Sequence, residues 1–243
     1  MSEISGALSK LRTPLASDVF TTLYENLLIT NPSRRPGSVL VCCASPGEGA
    51  TTIASGLALA AARLVDGCVL LVDCDRRKYD RSEYFNIAET LDLRGFIEAL
   101  GADWPGHREP GPPSPPDDAW IEVTKGALFG RTFLPNLWRM GFPGEEKSPI
   151  TRIESPKFKE FLQWMGNWIP FSVVDGPPVN ACPDSVLLAA QVSRVLFVVH
   201  AEVTRVPVAL EALSKLGEGV RHKIEVVLNH RAFAIPQKVY DRL

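Results

Sequence analysis

With 243 residues, 45% of them hydrophobic and 22% charged, the chain is long enough for one large α/β domain or two small ones and has an ordinary globular composition. A formal net charge of −2 gives no electrostatic case for binding nucleic acid or an anionic membrane surface. No apolar run approaches the length of a membrane span, and the N-terminus MSEISGALSK lacks the plan of a signal peptide, so the cytosol is the expected compartment.

Residues 1–17 are polar and are expected to be flexible, ahead of a single domain over 18–243. A helix is expected from Ser17 or Asp18 as N-cap, with Val19, Phe20, Leu23, Leu27 and Leu28 at helical spacing. Asn31-Pro32-Ser33 ends it, and Arg34-Arg35-Pro36-Gly37 reads as a turn into the first strand. That strand is followed by a small-residue loop and an Ala-rich helix over about 51–64, apolar nearly all round. A second apolar strand over 68–72 ends in Asp73-Cys74-Asp75-Arg76-Arg77. Strand, helix and strand with continuous apolar strands make a right-handed βαβ unit of a parallel sheet.

Further on, residues 95–100 read as a short helix, and 101–118, rich in Pro and Gly, as an exposed loop. Two short strands are expected around Gly126, within 119–138. Residues 155–168 form an amphipathic helix with Phe158, Phe161, Leu162 and Met165 inward; Trp164 and Trp168 share one face, and Lys157 and Lys159 are solvated. Strand 171–174 ends in Asp175-Gly176-Pro177-Pro178, and strand, helix and strand follow at 195–199, 210–216 and 224–228. The alternation implies an α/β fold: a doubly wound, mostly parallel sheet with helices on both faces and ligands at the carboxyl ends of its strands.

The stretch VLVCCASPGEGATT, residues 39–52, organises this plan. Loop amides and a helix N-terminus point at one place and favour an anion there. The matching motif is G-x-x-x-x-G-K-[ST]. Ala44 holds the first glycine's position, Gly49 the second, and Thr51 the hydroxyl expected on Mg²⁺; the lysine position is Ala50. Three aspartates, Asp73, Asp75 and Asp175, each follow an apolar strand. A single Asp there commonly caps a loop, but three beside a glycine loop indicate descent from a phosphoryl-transfer site. The five cysteines show no C-x-x-C pair, and the four histidines are scattered.

The succession PGEGATT, VLLVDCDRR, SVVDGPPV and VVLN resembles the cytoplasmic P-loop domain of bacterial tyrosine kinases and of the related ATPases that accompany polysaccharide co-polymerases, from Asp18 to the terminal IPQKVYDRL. The resemblance implies phosphate contacts at Gly47, Glu48, Gly49, Ala50, Thr51 and Thr52, and an adenine contact near Asn229. It implies catalytic carboxylates at Asp73, Asp75 and Asp175, with Mg²⁺ on Thr51, Asp73 and Asp175. The resemblance fixes no cofactor; ATP or ADP with Mg²⁺ is the implied ligand if the cradle still binds. The partner implied is the cytoplasmic tail of a membrane co-polymerase in exopolysaccharide biosynthesis and export, docked through Asp18, Thr21 and Tyr24 and the face around Pro177 and Pro178. A homo-oligomer is also implied.

This chain departs from the family pattern in three places. Ala50 replaces the lysine. The family's ring-forming glutamate and two arginines on the first helix read Asp18, Thr21 and Tyr24 here. The terminal tyrosine cluster is reduced to Tyr240, with Tyr24, Tyr79 and Tyr84 elsewhere. Losing a charged donor to phosphate costs about 1.5–3 kcal/mol of binding. Losing one preorganised donor to the transition state costs on the order of 10²–10³ in rate. The expectation is therefore a natural pseudo-enzyme acting as scaffold or regulator. Two alternatives stand beside it. One is an active ATPase or tyrosine kinase that draws a substitute cation from Arg34, Arg76 or Arg77. The other is a surface-positioning protein related to the partitioning and division-site ATPases.

Overall fold

The computed structural model describes residues 14–30, 37–75, 90–103, 127–142, 160–162, 165, 166 and 168–230. Several expectations lie outside the described residues. They concern the polar segment up to residue 13, the turn arginines Arg34 and Arg35, the pair Arg76 and Arg77, and the Pro/Gly-rich stretch from residue 104 to 118. They also concern Phe158, Lys157, Lys159, Trp164, Tyr79, Tyr84, Tyr240 and the terminal IPQKVYDRL.

Eight strands form one sheet: β1 (Gly37–Cys43), β2 (Val69–Asp73), β3 (Thr90–Leu91), β4 (Leu128–Arg131), β5 (Leu137–Gly141), β6 (Phe171–Asp175), β7 (Arg194–His200) and β8 (Ile224–Asn229). Their order across the sheet is β3-β4-β5-β2-β6-β1-β7-β8, and only the β3–β4 and β4–β5 pairs are antiparallel. The mostly parallel, doubly wound sheet read from the sequence is thus the one observed. The central strands are apolar without alternation because helices cover both faces. Side chains of α1 (Pro14–Ile29) and α2 (Ala50–Leu64) join Val39, Val41, Leu71 and Val173 on one face. On the other, α3 (Leu93–Asp103), α4 (Asp184–Gln191), α5 (Val206–Leu216) and the helical residues around Phe161 and Met165 join Leu40, Leu70, Val72 and Phe197.

Helix α1 starts at Pro14, earlier than the expected cap at Ser17 or Asp18. Proline suits a first helical turn, where its missing N–H is no loss and its φ is already helical. The helix lies close on α2: a Cβ built on Gly56 would stand 2.3 Å from the Phe20 ring. Tyr24 meets Phe171 edge-on, 5.1 Å between centroids.

Helix α3 takes in residues 101–103, expected in the loop. The β4–β5 reversal falls at 132–136 rather than at Gly126, which precedes β4. There the Thr132 hydroxyl accepts the Leu134 N–H at 3.2 Å, and Leu137 N–H reaches Leu134 O at 3.1 Å. This Thr-Phe-Leu-Pro-Asn turn satisfies its own backbone, which a lone Gly cannot do. Asn136 extends the tie by donating to Ala62 O and Gly67 O, at 2.8 and 3.2 Å.

Candidate functional site

Strand β1 carries the chain to the centre of the sheet's carboxyl edge, where the loop 44–49 turns into α2. Gly47 and Gly49 have φ of 91° and 93°, the left-handed region that glycine enters without cost. At Gly49 the need is also steric, since a Cβ would fall 2.1 Å from Asn229 Nδ2. As N-cap of α2, Gly49 offers no side-chain acceptor to the first turn. The helix therefore opens on amides of the kind that hold anions. Thr51 is half-buried and Thr52 exposed beside them, while Ala50 is buried in the α1–α2 layer.

Glu48 takes a different place from the phosphate contact expected of it. It is 4% exposed, and its carboxylate is turned inward. Oε2 accepts the Ala44 N–H at 2.9 Å, and Oε1 accepts the Thr204 hydroxyl at 2.7 Å. Thr204 Oγ1 accepts in turn from His200 N–H at 3.0 Å. A carboxylate facing a phosphate would repel it; here the charge is buried as a brace that fixes the loop to the end of β7. Asn229, expected at an adenine, braces the same loop from β8. Its Nδ2 donates to Glu48 O at 3.0 Å and its Oδ1 accepts His230 N–H at 2.9 Å. His200 and His230 stack beside it, 4.4 Å between ring centroids and 18° from parallel.

The aspartates assemble on the other side of β1. Parallel register pairs Asp73 with Asp175 across β2 and β6, and Asp175 with Val41 of β1. Asp75 and Asp175 are buried, and so is Asp184 at the start of α4, a residue the sequence reading passed over. Between them sits Cys74, whose thiol is pushed well above its usual range by burial and then by Asp73, Asp175, Asp184 and Asp75. It stays protonated, a neutral wedge in a crowd of carboxylates.

Asp73 has two partners among the described residues. Its Oδ2 meets Arg139 Nη2 at 2.5 Å, and its Oδ1 accepts Asp75 N–H at 3.2 Å. Arg139 comes from β5, a strand buried along its whole length; its side chain is 8% exposed and that of Asp73 14%. No local pattern marks it, because its partner stands 66 residues earlier in the chain.

Tyr24, Pro177 and Pro178, expected at a partner surface, are buried within this chain, while Thr21 is half-buried and Asp18 exposed. The prolines lie inward because residues 176–180 run alongside β1. Gly176, Val179 and Asn180 donate their N–H groups to Val41, Cys43 and Ala44 carbonyls, at 2.9, 2.8 and 3.2 Å. Gly176 is required there, since a Cβ would stand 2.7 Å from both Leu40 Cδ1 and Ser185 Oγ. Ser185 closes the turn by donating to Pro177 O at 2.5 Å.

Among the described residues no helix is long and apolar enough to cross a membrane. None of their His, Cys, Asp and Glu side chains form a group of three or more arranged to hold a metal ion.

Comparison with solved structures places this architecture among P-loop proteins. The kinase domain of VpsO is 26% identical, with 90% of this chain and 96% of that chain covered at a TM-score of 0.61. The chimerical protein CapA2B2 is 22% identical over 90% of this chain and 86% of its own, with a TM-score of 0.64. The kinase domain of the Escherichia coli tyrosine kinase ETK is 18% identical over 91% and 79%, also at 0.64, and supports the fold alone. No family model matches the sequence, and no curated protein matches it. The resemblance to bacterial tyrosine-kinase domains read from the motifs therefore extends to the three-dimensional structure.

Proposed function

We propose that this chain is a catalytically degenerate relative of the bacterial tyrosine kinases, serving exopolysaccharide biosynthesis and export as a cytoplasmic scaffold or regulatory partner of a membrane polysaccharide co-polymerase. The observation that carries the reading is Ala50, a buried methyl where the glycine loop's motif places a lysine, at the head of α2. The loop around it keeps the left-handed glycines and unblocked helix amides of a phosphate cradle, so weak anion binding is retained. What is lost is the mobile positive charge that steadies a transferring phosphoryl group, worth on the order of 10²–10³ in rate or more.

The likeness in fold to kinase domains supports the family, and a co-polymerase tail is the partner that the family implies. Asp18 and Thr21 on α1 remain available to such a partner; Tyr24, Pro177 and Pro178 would act only through the shape of the surface above them.

The test is enzymatic. Purified protein is expected to show no magnesium-dependent ATP hydrolysis or tyrosine phosphotransfer above background, and Ala50→Lys is expected to tighten ADP binding by about one to two decades. Turnover by the unaltered protein that falls when Asp175→Ala is introduced would overturn the proposal.

A further inference from the structure

A P-loop site of this kind implies a divalent ion at Thr51, Asp73 and Asp175, and the residues present do not fit one at Asp73. That carboxylate already has a cation of its own. The Arg139 guanidinium lies 2.5 Å from Oδ2, and both side chains are largely shielded from water. The second oxygen accepts the Asp75 backbone N–H. A metal ion joining Asp73 would be held within a few ångströms of a fixed guanidinium that cannot lose its proton. Water is too scarce there to screen the repulsion.

The strand register makes the placement deliberate in geometry. Arg139 pairs with Leu71 in parallel register, two residues before the Asp73–Gly141 pair, so its side chain shares their face of the sheet. The guanidinium runs beside Gly141 on its way to Asp73, and a Cβ there would stand 4.0 Å from Arg139 Nη2, at ordinary contact distance.

We infer that Arg139 is the resident counter-ion of Asp73 and makes this site refuse divalent metal, so that whatever anion the glycine loop accepts is bound without magnesium. The inference deepens the reading of the site as a degenerate P-loop and rests on it for the identity of the anion. The exclusion of metal rests on the ion pair alone.

Manganese, an oxygen-seeking stand-in for magnesium with a paramagnetic signal, gives the test. Mn²⁺ is titrated by electron paramagnetic resonance into the full chain, its Arg139→Met and Arg139→Lys variants, and the double variant Arg139→Met with Asp73→Asn. The expected result is at least tenfold tighter Mn²⁺ binding in Arg139→Met than in the unaltered chain, loss of that gain in the double variant, and no gain in Arg139→Lys. Arg139→Gln replaces Arg139→Met should the latter fail to fold. Equal affinity in the unaltered and charge-removed chains, a gain that survives Asp73→Asn, or the same gain in Arg139→Lys would overturn the inference. ADP binding in EDTA, measured by calorimetry on the same samples, separates the two readings. Its absence counts against a retained nucleotide cradle and leaves the metal result standing.

Discussion

The two flanks of β1 handle buried charge in opposite ways. On the β7–β8 side, the Glu48 carboxylate is satisfied by neutral donors, the Ala44 amide and the Thr204 hydroxyl, with Asn229 steadying the same loop through the Glu48 carbonyl. On the β2–β5 side, Asp73 is satisfied by a full opposite charge, Arg139. The first arrangement keeps a loop in shape through its own backbone groups. The second gives a carboxylate at a strand end a fixed counter-charge from the neighbouring strand of the same sheet. A loop can be held in shape by its own surroundings while a carboxylate nearby is neutralised from elsewhere, because backbone amides and side-chain charges are set by different parts of the chain.

That contrast can be broken most directly at the ion pair. Arg139→Met should destabilise the fold by about 3–5 kcal/mol, since it leaves a shielded carboxylate without its counter-charge. Adding Asp73→Leu should restore much of the loss, which a double-mutant cycle in urea would show. Additive losses would mean that the two side chains do not act as a pair.

On the opposite flank, Gly49→Ala should cost about 2–4 kcal/mol. It combines a left-handed backbone with a Cβ driven onto the Asn229 amide, so loop and β8 must part. Glu48→Ala should cost about 2–3 kcal/mol by leaving the Ala44 N–H and Thr204 hydroxyl without their acceptor. It should also raise amide exchange in the loop without altering the Mn²⁺ response of the other flank. A change in that response would show the two flanks to be coupled after all.

Counted per side chain and per pH unit, the smallest effect concerns the thiols. Burial raises Cys42, Cys68 and Cys74 above the ordinary thiol value; Cys43 and then Asp175 add to the shift at Cys42, and four aspartates add to it at Cys74. A thiol raised in the folded state contributes nothing to pH dependence below the unfolded value of about 8.5. Above it, the unfolded chain ionises first, so stability should fall by about 1.4 kcal/mol per thiol for each further pH unit. Urea melts at pH 8 and pH 10 would measure it. In the native state at pH 8, half-buried Cys182 should react with a thiol reagent well before the four buried cysteines.

Much of this molecule was legible in the sequence. Continuous apolar strands, glycine punctuation and a helix that is apolar all round are local patterns, and they gave the parallel sheet and its strand–loop–helix, with Asp73 and Asp175 each at a strand's carboxyl end; that the two strands are neighbours came from the sheet order. Boundaries set by self-satisfying backbone were less legible, as at Pro14 and at the 132–136 turn. The face around Pro177 and Pro178 was expected at a partner from the family resemblance; only the ladder of residues 176–180 along β1 shows the two prolines to be buried.

The roles of single charged side chains were decided elsewhere. Glu48 reads as one more residue of a glycine loop until Thr204, 156 positions away, is seen to claim it, and Asn229 reaches the same loop from 181 positions away. Arg139 has no signature at all until β5 is laid beside β2. Periodicity and turn chemistry are properties of neighbours in the chain, so the sequence alone determined where the loop and the carboxylates would stand. A buried charge is defined by the partner that compensates it, and that partner is brought near only when distant strands close into one sheet.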